Sequence, residues 1–146
     1  MPSRRRAGNS FAKTEIVIID ASVGVKWLIV EELTDRANAL VGDDMSVPAL
    51  FYSEVANAIC KKARRGELEL EPVVEQLPKL RLITTTIDDA SFAARALTLA
   101  HELDHPVYDC VYLAIAEARE ELLVTADVKF LRKVSGTSYA PLVRPL

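Results

Sequence analysis

Two short apolar runs, each leading into an aspartate, constrain the fold more than anything else in this chain. Ile16-Val17-Ile18-Ile19 runs directly into Asp20, and Leu122-Leu123-Val124-Thr125 is followed, one alanine later, by Asp127. Neither run alternates with polar residues, which suits strands covered on both faces of a parallel sheet. Elsewhere the apolar spacing turns helical. It predicts helices over residues 23–30, 34–41, 50–65, 70–80, 90–103, 107–120 and 127–134, the fourth weakened by Pro72 and Pro78. Further short strands are expected at 45–47, at 82–86 and, as an edge, at 139–143.

Strands alternating with helices imply a three-layer α/β/α sandwich around a central parallel sheet. The 146 residues, half of them hydrophobic, suit one domain with one core. Residues 15–146 are expected to form that domain. Residues 1–14, which include Arg4, Arg5 and Arg6, are expected to be a flexible basic tail. In the helix over 50–65, Phe51, Val55, Ala58 and Ile59 form an apolar stripe that the stem of Lys62 can close. In the helix over 90–103 the expected buried face is Phe92, Ala93, Ala96, Leu97 and Ala100.

The bulk numbers narrow the function classes. A net charge of −3 gives no general attraction to nucleic acid, so a polyanion would need a local basic patch or a bound cation. Cys60 and Cys110 form no CxxC pair and read as reduced core thiols. No stretch approaches the roughly 18 apolar residues of a membrane span. No export signal is legible either, so a cytoplasmic protein with no membrane partner is expected.

In parallel sheets, sites form outside the carboxyl ends of the strands. Asp20 and Asp127 fall there. Asp109 lies in the first turn of the helix that feeds the Leu122–Thr125 run, and Glu54 in the first turns of the helix after Pro48. Each has an ordinary alternative: Asp20 and Asp127 as helix caps, Asp109 as an acid at a helix N-terminus, Glu54 as a solvated charge. If the four meet, their mutual repulsion calls for a divalent cation, and an all-oxygen set suits Mg²⁺ or Mn²⁺. His101 and His105 read as surface residues at a helix end. Ser22, Asn57 and Thr125 are candidates for orienting water or carboxylates. Lys26, Lys61 and Lys129 are candidates for holding phosphates, with Lys26 and Lys129 favoured.

Four segments together resemble a known family. IVIIDASVGVKWLIVEE is similar to the opening of VapC-type PIN domains, and VPALFYSEVANAICKK to their second acidic segment, with Glu54 and Asn57 at matching positions. HPVYDCVYLAIAEARE and LLVTADVKFLRKV resemble the third and fourth, with Asp109, Thr125 and Asp127 matching. The resemblance implies a PIN-like α/β/α domain, a Mg²⁺- or Mn²⁺-dependent endoribonuclease, and a toxin of a type II toxin–antitoxin pair. It also implies an RNA substrate, a cognate antitoxin partner and a homodimer. Two alternatives stand beside it: a PIN-like binding module without catalysis, and a receiver-like signalling domain phosphorylated on Asp20.

Overall fold

The computed structural model describes residues 15–146, so the expectation of a basic tail over residues 1–14 lies outside the described residues. The elements run β1 (Ile16–Ile19), α1 (Ala21–Leu28), α2 (Thr34–Ala39), β2 (Asp44–Pro48), α3 (Leu50–Arg64) and α4 (Leu70–Gln76). Then follow β3 (Thr85–Ile87), α5 (Ala93–Leu103), α6 (Val107–Arg119), β4 (Leu122–Thr125), α7 (Val128–Val134) and β5 (Val143–Pro145). Short 3₁₀ turns occupy Leu77–Leu82, Ala90–Phe92 and Ala140–Leu142.

All strand pairs are parallel, in the order β3-β2-β1-β4-β5. Val17, Ile18 and Ile19 are consecutive and fully buried, so both faces of the sheet are covered, as the unalternated run predicts. The chain leaves β1 toward β2 on one side and later returns to β4 on the other. The strand order therefore reverses between β1 and β4, where parallel sheets open a crevice.

Two helices shape that crevice. From Cys110 to Ala116 every residue of α6 is buried, which makes it the central helix of the core. Helix α1 meets α3 at Gly24, where an added Cβ would sit 2.5 Å from Phe51 Cζ and 2.9 Å from Val55 Cγ2. Only glycine allows this approach, and it brings Glu54, between Phe51 and Val55, towards the end of β1.

The structure corrects three local expectations. The last strand is Val143–Pro145, because Pro141 lacks an N–H and its fixed φ places Ala140–Leu142 in a 3₁₀ turn. The third strand begins at Thr85, since the 3₁₀ segment opened by Pro78 runs on to Leu82. In α5 the buried face is Ala96, Leu99, Ala100 and Leu103, while Leu97 is exposed. Phe92, one turn before Ala96, is half-buried against the core as expected and continues the stripe, whereas Ala93 is exposed. Cys110 is a buried free thiol, as expected, and Cys60 is half-buried. Among the described residues no helix is long and apolar enough to cross a membrane.

Candidate active site

The register of the central pair builds the site. Ile19 pairs with Val124, which sets Asp20 beside Thr125 at the carboxyl ends of β1 and β4. The Thr125 hydroxyl donates to Asp20 Oδ2. Ser22 donates its backbone N–H to Asp20 Oδ1 at 3.1 Å, and its hydroxyl to the same oxygen. The Ser22 hydroxyl in turn accepts from the backbone N–H of Ala126 at 2.9 Å, tying the start of α1 to the end of β4. Asp127 caps α7, accepting from the N–H groups of Lys129 and Phe130 at 2.9 and 3.2 Å. Both aspartates thus cap a helix at the carboxyl ends of the central strands.

Asp20, Glu54, Asp109 and Asp127 line one cavity of about 290 Å³ with Ser22, Asn57 and Lys61. Glu54 arrives on α3 and accepts a 2.7 Å hydrogen bond from the buried Tyr112 hydroxyl. Tyr112 lies one turn after Asp109 on α6, so a single helix supplies one acid and holds another. A second cavity, of about 470 Å³, shares Asp109 and Asp127 and passes His105 and Pro106 to reach Lys129, Arg132 and Lys133.

Crowding and burial act on these carboxyls in the same direction. Burial pushes Asp20 up to about 6; hydrogen bonds from Ser22 and Thr125 oppose this, and the charges of Asp109 and Asp127 add to it. Burial pushes Glu54 up to about 7 against the Tyr112 hydrogen bond, with Asp109 and Asp20 adding to the rise. Asp109 is also raised, mainly by burial, with the hydrogen bond from His105 opposing. Raised carboxyls that face one another, from separate elements, are the donor set a divalent cation relieves. The residues present fit such an ion.

Several residues differ from their expected roles. Lys26 is buried, and its ammonium lies 2.8 Å from Glu31 Oε1. Glu31 also binds Lys62 at 3.1 Å. Lys26 is therefore a structural cation, held from the rim by a partner whose significance the sequence did not signal. Lys61 and Lys129 do line the two cavities. His101 is exposed, as expected, but the His105 side chain is only 8% exposed and its Nε2 lies 2.6 Å from Asp109 Oδ2. An imidazole thus stands beside the acids. Tyr112 and His105 were missed by sequence reasoning; Tyr112 lies three residues on from Asp109 in the same helix and that spacing could have marked it, whereas His105 precedes α6 and no helical spacing places it.

The sequence profile of the PIN domain matches residues 17–135. The chain belongs to the PIN domain family. A curated relative, Ribonuclease VapC3 of Pyrobaculum aerophilum, is 31% identical over 124 residues, covering 80% of this chain and 93% of the relative. The crystal structure of PAE2754 from the same organism superposes on this PIN domain protein with a TM-score of 0.66 at 23% identity, over 93% of this chain and 91% of its own. A chain of a toxin–antitoxin complex from Klebsiella pneumoniae superposes with a TM-score of 0.62 at 14% identity, over 88% of this chain and 95% of that one. These structural likenesses bear on the fold, which is the PIN fold. Membership displaces the receiver-like alternative, in which Asp20 would accept a phosphoryl group.

Proposed function

We propose that this PIN domain is a metal-dependent endoribonuclease of the VapC toxin type. The observation that carries the reading is the meeting of Asp20, Glu54, Asp109 and Asp127, from four segments, around one cavity of a PIN domain. The relative named as a ribonuclease supports RNA as the substrate. The neighbour solved as a toxin–antitoxin complex supports a cognate antitoxin as partner. A homodimer working in the cytoplasm completes the reading.

Asp20, Asp109 and Asp127 would hold Mg²⁺ or Mn²⁺, with Glu54 binding directly or through water. When bound, such an ion supplies neutralisation of phosphate charge and a lowered pKa for water. The chain's own groups do the remaining work. Glu54, raised to about 7, accepts a proton from the attacking water near neutral pH. Tyr112 holds one Glu54 oxygen and leaves the other for this task. Ser22 and Thr125 fix Asp20, and Asn57 presents an amide to the cavity. Lys61 on one side and Lys129 on the other bind flanking phosphates. The water oxygen bonds to phosphorus, the bond to the 3′ oxygen breaks and that oxygen takes a proton from solvent, leaving a 5′-phosphate and a 3′-hydroxyl.

The test is cleavage of RNA and of single-stranded DNA by the purified wild type and Asp20→Asn, with and without Mg²⁺ or Mn²⁺. RNA products ending in 5′-phosphate, absent with chelator and with Asp20→Asn, are expected. Chelator-resistant products with 2′,3′-cyclic phosphates would overturn the mechanism. RNA binding without cleavage under either ion would point to the non-catalytic binding module.

A further inference from the structure

His105 is built into the rim of the site and has no role in the chemistry above. Asp104 ends α5 in the left-handed conformation, φ 49°, and Pro106 opens α6 at φ −55°. Between them the His105 backbone N–H is held by the Ala100 carbonyl at 3.1 Å. The ring packs against Phe130 at 5.1 Å between centroids, tilted by 39°. Phe130 belongs to α7, the helix that Asp127 caps, so one helix places both an acid and the wall that fixes this imidazole.

A ring that merely oriented Asp109 would need only Asp109 in reach. Instead, donor atoms of His105, Asp109 and Asp127 all lie within 4.8 Å of one another. That spread is close to the about 4.2 Å that separates opposite ligands of an octahedral ion with bonds of ~2.1 Å. Two oxygens and a nitrogen, from the turn before α6, from α6 and from the N-cap of α7, thus lie close enough together to share one ion.

We infer that His105 supplies an imidazole nitrogen to the divalent ion beside Asp109 and Asp127, and so biases this PIN domain toward Mn²⁺ over Mg²⁺. The inference rests on the metal-dependent reading and specifies which ion the site prefers. Mg²⁺ takes oxygen ligands and keeps its waters, whereas imidazole suits the later first-row ions.

The chain has two histidines, so a nitrogen signal from bound imidazole has two candidate sources. The experiment is electron spin-echo modulation of Mn²⁺ bound to the untagged full chain, with Mn²⁺ and Mg²⁺ affinities by calorimetry. ¹⁴N modulation is expected in the wild type and in His101→Gln. It should vanish in His105→Gln, whose amide still donates to Asp109, and Mn²⁺ affinity should fall about tenfold while Mg²⁺ affinity moves far less. Should His105→Gln fail to fold, wild type labelled with ¹⁵N-histidine must show the ¹⁴N pattern replaced by a ¹⁵N one. Tightly bound Mn²⁺ without nitrogen modulation would overturn the inference and leave the metal-dependent reading intact. Mg²⁺ binding without Mn²⁺ binding would overturn the inference alone, and absence of binding by either ion would overturn both.

Discussion

The Tyr112 hydroxyl, buried in the central helix, donates to Glu54 Oε1 at 2.7 Å and so links α6 to α3 across the crevice. This bond favours the ionised carboxylate, against burial and the neighbouring acids that raise it. Tyr112→Phe should therefore push the acid limb of the pH–rate profile upward. It should also lower cleavage near pH 7 on the order of tenfold, for a charge-assisted bond worth about 1.5–3 kcal/mol. The profile of cleavage rate between about pH 5.5 and 9 is the measurement; a uniform loss with no shift would assign Tyr112 a packing role only.

Metal-free stability should depend on pH in a direction opposite to ordinary acid denaturation. Asp20 and Glu54 are raised from 3.8 and 4.5 to about 6 and about 7 in the folded state. The fold binds these protons more tightly than the unfolded chain does, so stability is greatest where both are protonated and falls as pH rises through that window. Glu31 and Glu117, which are lowered by their cationic partners, act below that window. The melting temperature of chelator-treated protein should drop on the order of 5 °C from about pH 5 to about pH 7.5. Mn²⁺ should restore it more at the higher pH. A melting curve that climbs across this interval would contradict the crowding of the acids.

Gly24→Ala tests the approach of α1 to α3. The new methyl would meet Phe51 and Val55 at 2.5–2.9 Å, inside normal contact. A loss of about 1–3 kcal/mol, typical of overpacking, is expected from denaturant titration. The displaced helix should also weaken cleavage, because Glu54 rides on α3 between the two contacted side chains.

The cations should separate cleanly. In the Asp20→Asn background, Lys129→Ala should lower RNA affinity and flatten the salt dependence by about 0.7 per lost phosphate contact. Lys26→Ala should leave that slope unchanged and instead destabilise the fold, since it strips Glu31 of a buried partner. Filter-binding at several salt concentrations reads the first effect and thermal melting the second.

Much of this was legible beforehand, for physical reasons. The runs at Ile16–Ile19 and Leu122–Thr125 announced buried parallel strands, and the crevice rule then located Asp20 and Asp127 without any knowledge of contacts. Helical spacing placed Glu54 beside the core stripe. What periodicity cannot encode is which cation an acid will choose, so Lys26 looked available until Glu31 was seen to hold it. Nor could it show that the three residues between α5 and α6 turn His105 inward, because that turn depends on Asp104 adopting a left-handed backbone without glycine. In α5 the expected face held at Phe92, Ala96 and Ala100 but took its flank from Leu99 and Leu103 rather than Ala93 and Leu97, because apolar residues on both sides leave the phase open.

The bond from Thr125 to Asp20 spans 105 residues of sequence. A ribosome must add Glu54, Asp109, the sheet's second strand and the whole central helix after Asp20 before Thr125 exists to hold it. The nascent chain therefore has no assembled acid cluster until β4 has been made, so the activity proposed above cannot begin before α6 and β4 are in place.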